Sequence, residues 1–274
     1  MKPLRGAALR RELLVQPGKP FKLTSCDPAE TYGWDKDGAA AVLDENSRRL
    51  ESLQERLWAS KAGPVLIVLQ GIDTAGKDGT IRHVMSAFNP QGCTVTGFDE
   101  PTAEELAHDY LWRVHRATPA KGSVAIFNRS HYEDVLVVRV HDLVPKSAWR
   151  KRYDQINDFE RQLTENGTTI VKFFLNISPD EQRQRLQARI DTPDKRWKFK
   201  TGDLAERKLW DQYMAAYQVA LERCSTDAAP WHIVPSDRKW FRNLAVAEVV
   251  ANALEGLRLK YPPSADGIES IVVE

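Results

Sequence analysis

The sequence has few cysteines, no long apolar run and almost no net charge. Cys26, Cys93 and Cys224 lie far apart without a CxxC spacing, so they predict neither a disulfide framework nor a zinc site. The longest apolar run, residues 65–69, is far too short to span a bilayer, and the N-terminal stretch lacks the apolar core of a secretory signal. We therefore expect a protein of the reducing cytoplasm with no membrane role.

The balance of charge gives no reason to expect general attraction to polyanions. Lys and Arg number 39 and Asp and Glu 38, a net charge of +1, so any basic site must be local and nucleic acid is not an expected partner. With 274 residues and 42% hydrophobic content, the chain can bury a full core. We expect an N-terminal arm over residues 1–38, extended because it lacks periodicity, and a single domain over residues 39–274.

Short apolar runs rich in β-branched and aromatic residues predict buried strands over residues 65–70, 123–128 and 169–177, with shorter candidates at 92–97 and 231–235. Helical patterns cover residues 39–60, 79–88, 102–117, 148–166 and 240–260. Strands that alternate with helices are typical of an α/β fold, in which helices cover both faces of a parallel sheet.

The run Gly71 to Thr80, GIDTAGKDGT, is the strongest motif, and we call it the phosphate loop. It satisfies GxxxxGK directly after a predicted strand and before a predicted helix, a placement that argues against a chance glycine-rich turn with a surface lysine. Backbone N–H groups of such a loop point inward at phosphate, and Lys77 adds a mobile cation. The expected phosphate-binding residues are Gly71, Thr74, Ala75, Gly76, Lys77, Asp78, Gly79 and Thr80.

Two acids depart from the common nucleotide-binding pattern. Asp78 follows Lys77 where Ser or Thr usually coordinates Mg²⁺, and Asp73 lies inside the loop. A carboxylate in an anion-binding loop is tolerable if a divalent cation bridges it to phosphate, so we assign Asp73 as a metal ligand or as the group that orients the acceptor phosphate. A solvated turn residue is the alternative. Thr80, one turn into the helix, is a candidate for the missing hydroxyl.

A second motif, residues 128–134, follows the predicted strand at 123–128, where open α/β sheets bind ligands. The residue after the apolar run is Asn128, so a metal-binding carboxylate has to come from Glu133 or Asp134. Arg129 has the fork geometry to hold phosphate. A capped helix start, with Ser130 as N-cap and Glu133 in a capping box, is compatible with this assignment.

Residues 183–200 carry seven positive and two negative side chains, which leaves +5. The break at Thr192–Pro193 predicts a helix-loop-helix lid over about 183–205 that closes on a polyanion, with Arg185 and Arg189 on one face. A solvated helix face is the alternative.

Together these motifs resemble those of the family-2 polyphosphate kinases. The phosphate loop matches GxDxxGKDGT, residues 127–132 match F-[DN]-R-S-x-Y, and residues 194–200 read DKRWKFK. Residues 91–93, 101–113 and 231–242 also look like this family, so the resemblance covers roughly residues 20–260. It implies a P-loop kinase fold with a basic helical lid, and phosphoryl transfer between inorganic polyphosphate and nucleotides.

The sequence FNRSHYED, where many members read FDRSWYNR, resembles the class III subgroup, which accepts both AMP and ADP. By resemblance, Asp73 and Asp134 bind Mg²⁺ (or Mn²⁺), Lys77 and Arg129 contact the transferred phosphate, and Glu133 favours AMP. The resemblance also places Arg113, Asn128 and Arg139 at the nucleotide or phosphate, and it lines a polyphosphate channel with Arg185, Arg189, Lys195, Arg196 and Lys198. It further implies a homo-oligomer, a dimer or a tetramer.

We expect reversible transfer from polyphosphate to AMP or ADP, with the use of guanine nucleotides left open. An ATP-dependent nucleoside monophosphate kinase is the first alternative, although its loop normally has Ser or Thr after the Lys. A nucleotide-gated nucleic-acid-binding protein is the second, but Trp197 and Phe199 are the few aromatic residues in the basic segment.

Overall fold

The computed structural model describes residues 2–268 and 271–273. Its strands are β1 (Val65–Gln70), β2 (Cys93–Gly97), β3 (Val124–Asn128), β4 (Thr169–Asn176) and β5 (Trp231–Pro235), and they form a parallel sheet in the order β2-β3-β1-β4-β5. All six residues of β1 are buried, and because side chains of a strand alternate between faces, both faces of the sheet are covered. The predicted strands and the α/β class are confirmed.

Helices connect the strands: α1 (Gly6–Leu13), α2 (Lys36–Ser60), α3 (Lys77–His83), α4 (Ala103–Leu106), α5 (Trp112–Arg116), α6 (Val137–Val140), α7 (Lys146–Glu165), α8 (Pro179–Asp191), α9 (Gly202–Lys208), α10 (Trp210–Arg223) and α11 (Lys239–Gly256). Helix α11 is mainly apolar and buried along most of its length, and it packs on α2. Since β1 lies between β3 and β4, the phosphate loop after β1 is adjacent to the second motif after β3.

The single helix predicted over 102–117 is wrong, because two short helices, α4 and α5, occupy this segment. The Asp109 side chain accepts a hydrogen bond from Leu111 N at 2.9 Å, and its carbonyl accepts one from Trp112 N. Such local bonds of an Asp side chain compete with a continuous helix. The predicted helix over 79–88 is likewise shorter, since α3 ends at His83 and a 3₁₀ turn, Met85–Ala87, follows.

The N-terminal arm was predicted to be extended, but the structure shows that it contains helix α1. Leu9 and Leu13 of α1 are buried, and the helix packs against α11. Beyond it, Val15 N donates to Trp231 O at 2.9 Å, and an antiparallel bridge joins Leu14 to His232. The arm therefore covers the edge strand β5, which would otherwise present unpaired backbone groups.

The burial of His232 between this arm and the sheet predicts a pH dependence of stability. Burial lowers the pKa of His232 to about 4, so the folded state binds its proton less tightly than the unfolded chain does. The contribution of neutral His232 to the free energy of unfolding is thus complete above the pKa of the unfolded chain, about 6.5, and it is lost as the pH falls toward 4. We expect the free energy of unfolding of wild type to fall by about 2 kcal/mol more between pH 7.5 and pH 5 than that of His232→Phe. Urea titrations at both pH values measure this difference, and equal pH dependence in the two proteins would contradict the assignment.

Candidate active site

The phosphate loop wraps around the ammonium group of Lys77. Lys77 Nζ donates to Gly71 O at 2.6 Å, with Ile72 O at 3.4 Å, and the side chain is buried. Thr74 and Gly76 have positive φ angles of 67° and 114°, which turn the backbone back on itself. Burial, followed by the charge of Arg129, lowers the pKa of Lys77. The loop therefore presents a buried cation that has no carboxylate at ion-pair distance within the described residues.

Arg185 holds the phosphate loop from α8. Its guanidinium donates to Thr74 O at 2.9 Å and Ala75 O at 3.1 Å, and also to the carbonyls of Ser236 and Asp237 after β5. The side chain is buried. The remaining nitrogen of the guanidinium, Nε, donates to Glu181 Oε1 at 2.8 Å. Arg185 thus joins the loop and the residues after β5 to helix α8, and its place in a polyphosphate channel with Arg189 stays a prediction.

Arg129 lies among charged side chains of both motifs, namely Asp73, Lys77 and Glu133. Its Nη2 donates to Asp73 Oδ1 at 3.1 Å, and its Nη1 is 3.8 Å from Glu133 Oε2. The backbone of Arg129 has a φ of 65°, in the left-handed region that a non-glycine residue seldom adopts. Burial raises the pKa of Glu133, and the charges of Arg129 and Lys77 partly oppose that rise. The structure thus brings Asp73, Lys77, Arg129 and Glu133 into one electrostatic group.

Asp78 and Asn128 are in contact across the two motifs. Asn128 Nδ2 donates to Asp78 Oδ1 at 2.9 Å. In the common pattern a hydroxyl residue follows the loop lysine and an acid follows the strand. In this chain the acid, Asp78, follows the loop lysine, and the neutral residue, Asn128, stands at the end of the strand. The hydrogen bond between them joins the loop to the second motif.

The turn that follows Arg129 is a 3₁₀ helix, His131–Val135. Ser130 Oγ accepts from Tyr132 N at 3.2 Å, so the predicted cap is present. The predicted capping box is wrong, because Glu133 faces Arg129 rather than the backbone N–H of Ser130. The shorter repeat of a 3₁₀ turn explains this difference, since its side chains take other directions than in an α-helix.

Asp134 has a partner that the sequence did not indicate. Arg152 Nη1 of α7 lies 2.8 Å from Asp134 Oδ1. Burial raises the pKa of Asp134 to about 6, and the charges of Arg152 and Arg113 oppose the rise. The two predicted metal ligands therefore have different arginine partners, Arg129 for Asp73 and Arg152 for Asp134.

The oxygen atoms around the phosphate loop fit a divalent cation. Thr74 Oγ1 and Thr80 Oγ1 are buried hydroxyls without a hydrogen-bond partner among the described residues, and in the same loop Asp73 is partly exposed to solvent and Asp78 is exposed. Within the described residues, His, Cys, Asp and Glu side chains form no group of three that could hold a metal alone. Magnesium sites of phosphotransferases typically take one or two carboxylates and complete the shell with substrate phosphates and water.

Two further predicted arginines make contacts near the site. Arg113 of α5 donates to Asp99 O at 2.9 Å, and its charge acts on Asp134. Arg139 of α6 donates to Tyr153 OH at 3.1 Å, and its guanidinium lies 4.9 Å from the ring centroid of Trp149. Arg113 is thus close to the second motif, whereas Arg139 packs on α7.

The basic segment comprises the end of α8, a 3₁₀ turn (Pro193–Lys198) and α9, with the break where Thr192–Pro193 predicted it. Arg189 lies 3.6 Å from Asp203, and Arg196 donates to Ile190 O at 2.8 Å, so both help to hold the segment together. In the part of the chain that the structure describes, Lys195 and Lys198 form no ion pair. These two lysines are free to meet a polyanion.

The parallel sheet, the loop around Lys77 and the adjoining Arg129 define a P-loop phosphotransferase. The model of the family polyphosphate kinase 2 (PPK2) matches residues 34–261, and the chain belongs to that family.

Relatives and a solved structure agree with this assignment. The chain is 53% identical to an AMP/ADP-polyphosphate phosphotransferase of Meiothermus ruber, over 95% of this chain and 98% of the relative. It is 50% identical to an ADP-polyphosphate phosphotransferase of Rhodopseudomonas palustris, over 81% of each chain. The crystal structure of polyphosphate kinase 2 from Arthrobacter aurescens TC1 superposes with a TM-score of 0.93, at 45% identity, over 98% of this chain and 97% of that one. Among the described residues, no helix is both long and apolar enough to cross a membrane.

Proposed function

We propose that this protein transfers the terminal phosphoryl group of inorganic polyphosphate to AMP and ADP, giving ADP and ATP, and that the reaction is reversible. The family and the activities named for the Meiothermus ruber and Rhodopseudomonas palustris relatives support this activity. The observation that carries it is the group formed by Lys77, Arg129, Asp73 and Glu133, because it places two cations at a phosphate loop that has acids in place of the usual hydroxyl pattern.

The transfer needs no covalent enzyme intermediate. Lys77 and Arg129 bind the oxygens of the phosphate that moves, and their charge offsets the negative charge that spreads over those oxygens in the transition state. Asp73 orients Arg129 through the contact at 3.1 Å. Because Lys77 is buried, its interaction with phosphate is stronger than it would be in water.

Mg²⁺ or Mn²⁺, when bound, supplies charge neutralisation between phosphate oxygens and protein carboxylates. We propose Asp73 and Asp134 as its protein ligands, and the hydroxyl of Thr80, for which the described part of the chain provides no hydrogen-bond partner, as a further oxygen. Arg113 and Asn128 complete the proposed nucleotide and phosphate contacts, and Glu133 is proposed to favour AMP. A homo-oligomer, cytoplasmic in location, remains our expectation for the assembly.

A direct assay tests the proposal. Incubation with AMP, long-chain polyphosphate and Mg²⁺, in the absence of ATP, is expected to give ADP and then ATP, measured by chromatography of the nucleotides. GMP and GDP, supplied in separate reactions, measure the base preference.

The two alternative functions predict different experimental outcomes. An ATP-dependent nucleoside monophosphate kinase would leave AMP unchanged with polyphosphate and would convert it with ATP, and that outcome would reject our proposal. A nucleic-acid-binding protein would retain RNA at moderate salt, whereas we expect competition by polyphosphate and no retention of RNA.

A further inference from the structure

Three consecutive carbonyl groups of the phosphate loop accept hydrogen bonds from buried side chains of α8. Gln182 Nε2 donates to Asp73 O at 3.2 Å. Arg185 Nη1 donates to the two carbonyls that follow, Thr74 O and Ala75 O. Because the N–H groups of such a loop converge on phosphate, its carbonyl groups face the protein and need donors there. Gln182 and Arg185 lie three residues apart, on one face of the helix, and supply them.

Gln182 holds the first of these carbonyls, and within residues 2–268 and 271–273 it is the one side chain that donates to Asp73 O. Arg242 of α11 packs farther along the loop, against Gly76, and its own hydrogen bonds go to Asn243. The carbonyl of Asp73 belongs to the peptide that precedes Thr74, whose φ of 67° lies in the left-handed region. The direction of this strained peptide therefore depends on Gln182.

The amide of Gln182 is bonded at both ends, and its second partner determines which way it points. Gln182 Oε1 accepts from Arg207 Nη1 of α9 at 2.6 Å, and the same nitrogen donates to Pro179 O at 2.8 Å. A guanidinium can only donate, so it requires the amide oxygen on its side. The NH₂ group must then face Asp73 O. Because Gln182 is only 2% exposed, water does not compete with either bond.

Helix α9, which carries Arg207, is also bonded to the side of the site that holds the second motif. Glu206, the neighbour of Arg207, accepts from Tyr213 OH at 2.6 Å and lies 3.1 Å from His141 Nε2. His141 directly follows α6, and α6 follows the 3₁₀ turn of the second motif. Side-chain contacts therefore connect the phosphate loop, through α8 and α9, to the second motif.

We propose that Gln182 and Arg207 are positioning residues for phosphoryl transfer, which set the place of Asp73 relative to Arg129. Asp73 Oδ1 accepts from Arg129 Nη2 at 3.1 Å, so a rotation of the Asp73 peptide moves one partner of that contact. Arg207 fixes the amide of Gln182, and the amide fixes Asp73. The inference rests on the proposed function for the role of Asp73 in the transfer. Neither Gln182 nor Arg207 was indicated by the sequence motifs.

Substitution at residue 182 separates its two hydrogen bonds. Gln182→Glu keeps an oxygen for Arg207 and the volume of the side chain, but it loses the donor to Asp73 O. Gln184→Glu is the matched control, because Gln184 is exposed on the same helix and the charge changes equally. We expect Gln182→Glu to lower kcat with polyphosphate and AMP about tenfold, with each KM within about threefold of wild type. Gln184→Glu is expected to keep kcat within about twofold.

A double variant tests whether Arg207 acts through Gln182. Arg207→Met keeps an apolar stem and loses the donors, so we expect a fall in kcat of about fivefold to tenfold. Lys208→Met, at an exposed position of the same helix, is its control. In a Gln182→Met background, which lacks both amide bonds, the further substitution Arg207→Met is expected to leave kcat unchanged. Independent, multiplicative effects of the two substitutions would overturn the link between the two residues.

Hydrogen exchange of the phosphate loop gives a readout that does not depend on catalysis. We expect peptides covering residues 71–80 to exchange about tenfold faster in Gln182→Glu and Arg207→Met than in wild type, at an unchanged thermal transition. Both controls are expected to exchange like wild type. Arg207 is partly exposed, so Arg207→Met carries the comparison if Gln182→Glu unfolds.

The outcomes separate this inference from the proposed function. Unchanged exchange of the loop, or a raised KM for polyphosphate at an unchanged kcat, would overturn the positioning role and leave the proposed function intact. A wild type that transfers no phosphoryl group from polyphosphate to AMP or ADP would overturn the proposed function. The exchange comparison would then still decide whether Gln182 and Arg207 hold the loop.

Discussion

Lys77→Ala is expected to lower kcat with polyphosphate and AMP about 10³-fold while the protein stays folded. The magnitude follows from removing one buried cation that stabilises transferred negative charge. Lys77 is buried, and its ammonium contacts the carbonyls of Gly71 and Ile72 rather than a carboxylate. Since burial lowers its pKa, the charge is a cost to the free protein, and its loss should not reduce the free energy of unfolding.

Three measurements make this prediction decisive: kcat, the KM for each substrate and the thermal transition. Lys77→Arg is a useful second variant, because it keeps the charge but has to fit a larger planar group where the ammonium lies 2.6 Å from Gly71 O. We expect Lys77→Arg to remain strongly impaired. If Lys77→Ala kept its kcat within tenfold of wild type and an unchanged thermal transition, Lys77 would have no part in the transfer.

The strands and the phosphate loop could be predicted because their signals are local. Each of the runs at 65–70 and 231–235 is apolar except for one polar residue, Gln70 or His232, and such a run is sufficient to predict a buried strand in a parallel sheet. The phosphate loop is likewise a contiguous motif between a strand and a helix. The structure brings residues of the two motifs together, as in the contacts of Arg129 with Asp73 and of Asn128 with Asp78, while their membership of the site and their roles stay predictions.

The partners of the charged residues could not be predicted, because they come from distant parts of the chain. Nothing near Asp134 in the sequence indicates that Arg152 approaches it from α7. The same holds for Arg185, whose spacing from Arg189 suggested a shared basic face although its guanidinium binds carbonyls of residues 74–75 and 236–237. A signal did exist for Arg242, a lone cation in an otherwise apolar and amide-bearing run, but the sequence does not tell what it contacts.

Lys172 is a further charge inside a predicted strand, and its environment explains why the fold tolerates it. The side chain is fully buried in β4, and its ammonium lies 2.5 Å from Glu160 Oε2 and donates to Tyr132 OH and Cys224 O. Glu160 Oε1 also accepts from Tyr132 OH at 2.9 Å and lies 3.1 Å from His131 Nε2. Although burial alone would raise the pKa of Glu160, the charge of Lys172 and the bond from His131 hold it below its usual value.

This network ties the core to the second motif. His131 and Tyr132 belong to the turn that carries Glu133 and Asp134, so the buried pair fixes the part of the chain from which the acids project. A buried ion pair gains little over an apolar pair of the same volume, because desolvation offsets the attraction. The free energy of unfolding is therefore expected to fall strongly when one partner of the pair is removed, and little when both are replaced.

Lys172→Ala is expected to lower the free energy of unfolding by about 3–5 kcal/mol, because it leaves Glu160 charged, buried and without its cation. The double variant Lys172→Met with Glu160→Gln removes both charges, keeps the volume and retains an amide for His131 and Tyr132. We expect it to lie within about 1.5 kcal/mol of wild type. Urea unfolding at neutral pH measures both values.

If the double variant were as unstable as Lys172→Ala, the attraction between the charges rather than the uncompensated charge would dominate. If both variants were as stable as wild type, the pair would not be buried as the structure has it. A double variant that is stable but slow in phosphoryl transfer would show that the pair positions the second motif, a role that stability alone does not reveal.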